Sequence, residues 1–280
     1  MTQALILSGR AFAKTVRRNL AEEISESDGR PPGLAVIIVG DNPASQVYVS
    51  MKQKACEKTG LISRIIHLEE SVSEDELLRE IENLNHDSSI DGILCQLPLP
   101  DQISDETIAS SILPFKDVDG FHPVNVGRLW RGEEGLFPCT PVGIIALLKY
   151  SEIQMDGVNA VIVGRSNIVG KPMAALLLRE HATVTIAHSH TPDLPGLCRQ
   201  ADILISAIGR PYMINSEFIK PGATVIDVGI TRTSEGLRGD VDFEQVKDIC
   251  GAITPVPGGV GPLTIAFLLS NTVKTWNRSR

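Results

Sequence analysis

A buried strand that runs through a short polar turn into a helix is the feature that most constrains this chain. Residues 160–163 are consecutive apolar residues, which is typical of a strand inside a parallel sheet. A polar turn follows at 164–169, and an apolar helix pattern begins near Pro172. Backbone N–H groups in such a turn and the positive end of the helix dipole both favour an anion. The segment therefore predicts a phosphate site, although a plain strand-to-helix connection remains the alternative when it is taken alone.

The spacing of this turn excludes two common nucleotide-binding loops. A P-loop needs Ser or Thr after its lysine to hold magnesium, and here Pro172 follows Lys171. The fingerprint G-x-G-x-x-G is also missing, because Arg165 and Ser166 stand where a second glycine would be expected. Arg165 can instead offer a charged fork to a phosphate, and Ser166 can offer a hydroxyl.

Length and composition fit two α/β domains with aliphatic cores. The 280 residues are 42% hydrophobic but only 4% aromatic. The net charge of −8 argues against nucleic acid or a membrane surface as the partner. Five cysteines form an odd set without a C-x-x-C pair, so we expect a reducing compartment, no disulfide framework and no zinc site. Neither a membrane span nor a signal segment is predicted, and the expected location is the cytoplasm.

Strand and helix patterns alternate along the chain in two series, which predicts two parallel-sheet layers. The first series has strands near 34–39, 62–66 and 90–96, and helices near 11–24, 43–59 and 74–84. The second has strands near 160–163, 183–187, 201–207 and 223–228, and helices near 142–149, 172–178 and 263–276. We expect the two layers to join near 139–141, with a cleft between them.

Three places in the first series carry side chains suited to chemistry. Tyr48 and Lys52 stand four apart on one predicted helix, so they share a face. Partial burial would lower the pKa of Lys52 and make it a base, whereas a solvated lysine is the simpler alternative. Gln96 ends a strand, at the edge where open α/β sheets bind ligands; it could also only support the Pro-rich turn that follows. Asp119 precedes a glycine, which indicates first a turn and second a ligand carboxylate.

A second unusual segment, 254–262, contains three prolines and three glycines. The prolines restrict the backbone, and the glycines remove Cβ where a flat ring or another main chain must approach closely. This composition predicts a loop that lies against a ligand. The two histidines that flank Ser189 have no carboxylate partner at metal-ligand spacing, so no metal site is predicted.

Seven segments in register resemble the bifunctional methylenetetrahydrofolate dehydrogenase/methenyltetrahydrofolate cyclohydrolase family, and they span nearly the whole chain. They are 48–52, 96–100, 116–120, 138–141, 164–170, 227–230 and 254–262. The resemblance implies that NADP⁺ oxidises 5,10-methylenetetrahydrofolate and that the methenyl product is hydrolysed to 10-formyltetrahydrofolate. It also implies a homodimer that binds tetrahydrofolate derivatives.

Two alternatives to this activity are a dehydrogenase with little cyclohydrolase activity and a non-catalytic NADP-binding sensor. The sensor would be expected to lose Lys52, Gln96 or Asp119, and all three are present. A phosphotransferase is a third alternative. This chain lacks both the magnesium-binding hydroxyl and the catalytic aspartate motif that such an enzyme needs.

The resemblance assigns roles residue by residue. Lys52 would be the catalytic lysine, poised by a hydrogen bond to Gln96. Tyr48 would stack on the aminobenzoyl ring, and Asp119 would hold the pterin. The expected catalytic residues are Lys52, Gln96, Asp119 and Tyr48, and the expected substrate-binding residues are these four with Pro257, Gly258 and Gly259.

The resemblance also implies an NADP site on the second layer, which would be Rossmann-like. The expected cofactor-binding residues are Gly164, Arg165 and Ser166 at the phosphates, Ser189 at the adenosine end and Ile230 at the nicotinamide end. Sites that prefer NAD carry Asp or Glu after their second strand, whereas this strand is followed by His188, Ser189 and His190. We therefore expect NADP to be preferred. The expected domains are a folate-binding catalytic domain, 1–140 with 264–280, and an NADP-binding domain, 141–263.

Overall fold

The chain folds into two compact units, and the computed structural model describes residues 4–234 and 236–279. The six-strand unit contains residues 4–13 and the described part of 140–264. The three-strand unit contains residues 14–139 and 265–279. Within the described ranges, no helix is both long enough and apolar enough to cross a membrane.

The regular elements alternate as the sequence pattern predicts. The strands are β1 (Leu5–Ile6), β2 (Gly33–Val39), β3 (Ile62–Leu68), β4 (Gly92–Cys95), β5 (Asn159–Val163), β6 (Thr183–Ala187), β7 (Ile203–Ser206), β8 (Thr224–Asp227), β9 (Thr231–Thr233), β10 (Gly236–Arg238) and β11 (Ala252–Ile253). The helices are α1 (Gly9–Ser25), α2 (Pro43–Thr59), α3 (Glu74–His86), α4 (Asp105–Ser111), α5 (Pro123–Trp130), α6 (Cys139–Tyr150), α7 (Gly170–Arg179), α8 (Leu194–Cys198), α9 (Phe243–Val246) and α10 (Gly261–Arg278).

The three-strand unit is built around β2, which is buried on both faces. Its parallel sheet has the order β3-β2-β4. Leu34, Val36 and Ile38 pack on one face with residues of α2 and α10, whereas Ala35, Ile37 and Val39 pack on the other with α3 and α4. This two-sided burial is the reason that β2 is a continuous apolar run rather than an alternating one.

Local capping fixes α2, the helix that carries Tyr48 and Lys52. The Asn42 side chain accepts hydrogen bonds from the N–H groups of the first turn, and Pro43 occupies the first helical position. Gly60 ends the helix in the left-handed conformation, with φ of +89°, and its N–H bonds to Cys56 O. The predicted bounds 43–59 are confirmed.

The six-strand unit is a parallel sheet with the order β1-β11-β8-β7-β5-β6. From β5 the chain passes to β6 on one side and then returns to β7 on the other, which creates a topological switch point. Strand register aligns Ala187, Val163, Ser206 and Asp227 in one row at the carboxyl edge. This is the predicted Rossmann-like arrangement.

The expected first domain, 1–140 with 264–280, is wrong for residues 4–13, which lie in the six-strand unit. β1 pairs in parallel with β11 in the six-stranded sheet, where Leu5 lies opposite Ala252 and Ile6 opposite Ile253. The adjoining Ala4 and Leu7 are buried. A two-residue strand at the sheet edge has too little periodicity to be recognised, and its partner is almost 250 residues away along the chain. From Ile265 onward, α10 lies with the three-strand unit.

The C-terminal helix contributes the largest fully buried side chain of the three-strand unit, Trp276, whose indole N–H donates to Arg30 O at 3.0 Å. We expect Trp276→Ala to lower the free energy of unfolding by about 3–5 kcal/mol, because it removes a large core side chain and leaves a cavity. Chemical denaturation followed by circular dichroism measures this. Trp130 is half exposed, so Trp130→Ala is the matched control and should change stability by about 0.5 kcal/mol or less. Equal effects of the two substitutions would contradict the assignment of α10 to this core.

Candidate functional site

Lys52 is the central titratable group of the three-strand unit. It projects from α2, is 7% exposed, and donates a hydrogen bond from Nζ to Gln96 Oε1 at 2.8 Å. Burial lowers the pKa of the Lys52 amine, and the negative charge of Asp119 acts in the opposite direction. The amine is therefore drawn toward its neutral form, which can act as a base.

Gln96 lies immediately after β4, at the carboxyl edge of the sheet. Its N–H bonds to Ile37 O on the neighbouring strand, and its side-chain Nε2 donates to Leu97 O at 2.7 Å. The second bond fixes the amide so that Oε1 faces Lys52. A neutral acceptor holds the amine in place without adding the charge that would keep it protonated. Gln96 thus bonds both to the Pro-rich turn, at Leu97, and to Lys52.

Asp119 reaches the same sheet edge from the loop that follows a bridge between Ile93 and Asp117. Burial raises the pKa of the Asp119 carboxyl to about 6, and the nearby positive charge of Lys52 partly offsets this. The buried thiol of Cys139 lies 4.0 Å from Asp119 Oδ1, and burial raises the pKa of that thiol well above its usual value. Lys52, Gln96 and Asp119 therefore form one site, and Tyr48 lies one turn before Lys52 on α2.

The loop that carries Asp119 is held by a residue that the sequence interpretation did not single out. The buried Asp117 carboxylate accepts hydrogen bonds from the N–H groups of Gly120, Phe121 and His122 and from the side chain of Asn125. Gly120 adopts a φ of +77°, and a Cβ there would lie 2.4 Å from Phe137 C. The short spacing Asp-x-Asp-Gly was the available signal, because Asp-Gly marks a turn that needs an internal acceptor.

In the six-strand unit, the turn after β5 is too tight for any residue but glycine at two positions. Gly164 has a φ of +129°, and a Cβ there would lie 2.3 Å from Ala207 O at the end of β7. A Cβ on Gly170 would lie 2.2 Å from Gly164 O. This close approach brings the start of α7 against the switch point of the sheet, where dinucleotides bind in folds of this kind.

The same turn offers hydrogen-bond donors that fit a phosphate. Ser166 Oγ accepts the N–H groups of Val169 and Gly170, at 3.1 and 3.4 Å, so its own O–H proton is directed to another acceptor. Within the described part of the chain, no protein acceptor meets the N–H groups of Ser166, Asn167 or Ile168. The exposed Arg165 guanidinium adds a charged fork. The residues present therefore fit a bound pyrophosphate group.

The predicted ends of the nucleotide site follow the neighbouring strands. Ser189 is exposed directly after β6, between His188 and His190, whose rings are 5.9 Å apart. His190 N–H donates to His188 Nδ1 at 3.2 Å. Ile230 follows β8 and is 40% exposed. The sheet thus brings together all five predicted cofactor residues along one edge.

The Pro-Gly segment has a defined internal structure within the six-strand unit. Gly258 O accepts the N–H of Arg10 at 2.8 Å, and Gly258 adopts a φ of +112°. Gly259 N–H bonds to Pro255 O at 2.7 Å, and a Cβ on Gly259 would lie 2.6 Å from that oxygen. Pro257 lies between these contacts. The described residues contain no cluster of three or more His, Cys, Asp or Glu side chains able to hold a metal.

These features define a class: a two-unit α/β protein with a dinucleotide-type sheet edge on one unit and a desolvated lysine site on the other. The model of the tetrahydrofolate dehydrogenase/cyclohydrolase catalytic domain matches residues 7–119, and that of the NAD(P)-binding domain matches 138–280. The bifunctional protein FolD of Halothermothrix orenii is 54% identical over 273 residues, or 96% of each chain. This chain therefore belongs to the bifunctional tetrahydrofolate dehydrogenase/cyclohydrolase family.

Solved structures agree with this membership. The bifunctional FolD enzyme of Campylobacter jejuni has a TM-score of 0.97 and 52% identity, covering 98% of this chain and 99% of its own. The FolD enzyme of Trypanosoma brucei, solved with NADP and an inhibitor, has a TM-score of 0.95 and 41% identity, covering 100% and 99%.

Proposed function

We propose that Lys52, Gln96, Asp119 and Tyr48 carry out the two reactions for which this family is named. In the first, 5,10-methylenetetrahydrofolate is oxidised with NADP⁺ to the methenyl form. In the second, water converts that cation to 10-formyltetrahydrofolate. The observation that supports these roles most directly is the burial of the Lys52 amine against the neutral amide of Gln96, with Asp119 beside it.

The hydrolytic step requires a proton acceptor for the water that attacks the methenyl carbon. Burial lowers the pKa of Lys52 toward the neutral amine that would accept this proton, and Gln96 orients that amine through the bond to Nζ. Asp119, half-buried in the same site, can accept hydrogen bonds from the pterin N–H groups. Tyr48, exposed on the same face of α2, offers a flat ring for stacking on the aminobenzoyl group.

The oxidative step depends on positioning. NADP⁺ supplies the hydride acceptor when it is bound. Gly164, Arg165 and Ser166 would hold its phosphates through the donors described above, with Ser189 toward the adenosine end and Ile230 toward the nicotinamide end. Pro257, Gly258 and Gly259 would contact the folate. The main contribution that these residues can make is to hold the folate carbon that loses the hydride close to the nicotinamide ring that accepts it.

We also propose that the protein works as a cytoplasmic homodimer that binds no nucleic acid. All five cysteines are free and buried, which fits a reducing compartment. The net charge of −8 does not favour binding to a polyanion. The homodimer is proposed from the family resemblance.

The assignment of Lys52 is tested by Lys52→Met, which keeps the apolar stem and removes the amine. We expect hydrolysis of methenyltetrahydrofolate to fall about 100-fold, since a positioned acid–base group contributes roughly 10²–10⁴. The decay of methenyl absorbance measures this rate. Lys54→Met is the matched control, because Lys54 is exposed on the same helix and should be dispensable.

Full hydrolysis by Lys52→Met would show that the catalytic assignment is wrong. For the unmodified chain, the same absorbance assay also distinguishes the bifunctional enzyme from the remaining alternative. A dehydrogenase with little cyclohydrolase activity would accumulate the methenyl product when it is given methylenetetrahydrofolate and NADP⁺, whereas the bifunctional enzyme consumes it.

The raised pKa of Asp119, about 6, predicts a pH dependence of substrate binding. Below pH 6 the carboxyl takes up a proton and loses an acceptor for pterin N–H groups, so KM for methenyltetrahydrofolate should rise toward about tenfold per pH unit. Lys52→Met should move the inflection to higher pH, because the positive charge of Lys52 lowers the pKa of Asp119. Asp119→Asn should give a high KM without this inflection. A constant KM from pH 5 to 7 in the unmodified protein would contradict the role of Asp119.

The absence of a carboxylate after β6 predicts a preference for NADP⁺ over NAD⁺ of at least about tenfold in kcat/KM. His190→Ala should reduce this preference, because it removes an exposed ring N–H that could donate to the 2′-phosphate. His181→Ala is the control, since His181 lies at the opposite end of β6. A tenfold preference for NAD⁺ would contradict the cofactor assignment.

A further inference from the structure

Two buried carboxylates, Asp227 and Asp240, lie at the carboxyl edge of the six-stranded sheet and have no part in the reactions described above. Asp227 is the last residue of β8 and is 3% exposed, and Asp240 is completely buried. Burying a carboxylate is costly unless hydrogen bonds compensate for the lost water. Their bonding partners therefore indicate what these two residues hold in place.

The Asp227 carboxylate is surrounded by backbone N–H groups. Oδ1 accepts the N–H groups of Gly229 at 3.0 Å and Asp240 at 2.9 Å, and Oδ2 accepts that of Val241 at 2.9 Å. Its own N–H donates to Thr254 Oγ1 at 2.8 Å. Asp227 thus joins the segment after β8 to the segment after β10 and to the segment after β11.

Asp240 extends this connection to the end of β7. Its Oδ2 accepts the hydroxyl of Ser206 at 3.1 Å and the N–H of Ile208 at 2.7 Å, and its Oδ1 accepts the N–H of Arg210 at 2.8 Å. Ser206 and Asp227 are direct neighbours in the register of β7 and β8. The two carboxylates together connect the segments that leave three neighbouring strands.

Two glycines are explained by these carboxylates. A Cβ on Gly229 would lie 2.3 Å from Asp240 Oδ1, and a Cβ on Gly239 would lie 1.9 Å from Asp227 Oδ2. Each carboxylate therefore occupies the volume that a side chain on the other segment would need. The arrangement is reciprocal, and it restricts how the segment 227–230 can lie against the segment 239–241.

A cavity lies on one side of this arrangement. A cavity of about 380 Å³ borders Asp227, and its lining includes Tyr212, Arg238, Gly239, Pro255 and Val256. The hydrogen bonds of Asp227 and Asp240 therefore hold the segment next to this cavity. Ile230 directly follows Gly229, so its location depends on the same bonds.

We propose that Asp227 and Asp240 are positioning residues for the dehydrogenase reaction, because they hold the segment that presents Ile230 to the nicotinamide ring. The inference rests on the proposed function, which assigns Ile230 to that ring. Substitution of either carboxylate should therefore impair oxidation and the binding of the nicotinamide half of NADP⁺. Hydrolysis should be unaffected, because it needs no nucleotide.

The test uses Asp240→Asn and Asp227→Asn in the full chain. An amide replaces one acceptor oxygen with an N–H₂ donor that faces backbone N–H groups, so the connection between segments is lost with little change in volume. Asp202→Asn is the matched control. Asp202 is a carboxylate of the same sheet that bonds to Asn159 N–H and Lys220, at the opposite edge of the strands.

Isothermal titration should show NADP⁺ binding at least fivefold weaker in both variants, while binding of 2′,5′-ADP, which lacks nicotinamide, changes less than twofold. The kcat/KM for NADP-dependent oxidation should fall at least tenfold. Hydrolysis of added methenyltetrahydrofolate should stay within twofold, and the control should resemble the unmodified protein in all four measurements.

Unchanged NADP⁺ binding and oxidation in the folded variants would overturn this inference. Equal losses for 2′,5′-ADP or for hydrolysis would also overturn it, because they would indicate a general structural role. If neither Asn variant folds, Ser206→Ala removes a single donor to Asp240 and must weaken NADP⁺ binding at least twofold more than 2′,5′-ADP binding; equal effects overturn the inference. An unmodified protein without NADP-dependent oxidation would overturn the proposed function and this inference together.

Discussion

Parallel strands end at a common edge, and this constraint determines where both candidate sites lie. In the three-strand unit, Gln96 follows β4 directly and Asp119 follows the bridge between Ile93 and Asp117. In the six-strand unit, the row of Val163 and Ser206 precedes the glycine turn and the segments that bind Asp240. Residues that are far apart in sequence reach one edge because each strand ends there. The chemistry therefore depends on strand register before it depends on any single side chain.

Burial favours the neutral form of titratable groups in both units, and their hydrogen-bond partners differ. Lys52 has one neutral side-chain acceptor, Gln96, so burial draws its pKa down and favours the free amine. Asp117 and Asp227 are surrounded by N–H donors, which offset the burial that raises the pKa of each carboxyl, to about 7 for Asp227. A group needed for proton transfer is left with few compensating bonds, whereas carboxylates that hold loops receive several. Lys52 thus has a single neutral side-chain acceptor, whereas Asp117 and Asp227 each accept several backbone N–H groups.

Local signals predicted the local structure. Pro43 and Gly60 placed α2 correctly because a helix start and a left-handed stop are properties of single residues. The strand at β2 was predicted because burial on both faces requires an uninterrupted apolar run. Tyr48 and Lys52 could be placed on one face by helical spacing alone. The roles of Lys52, Gln96 and Asp119, by contrast, came from the family resemblance, and the structure adds their mutual contacts.

What the sequence did not predict depends on partners far away along the chain. β1 pairs with β11, a strand some 250 residues away along the chain. Two residues are too few to show a periodicity that would predict this pairing. Asp227 and Asp240 are thirteen positions apart, and no local pattern relates them, because their role depends on the N–H groups that surround them in the fold. The glycines at 229 and 239 carried the same information in another form. Gly229 and Gly239 do not adopt a left-handed φ; at each of them a carboxylate of the opposite segment occupies the space that a Cβ would need.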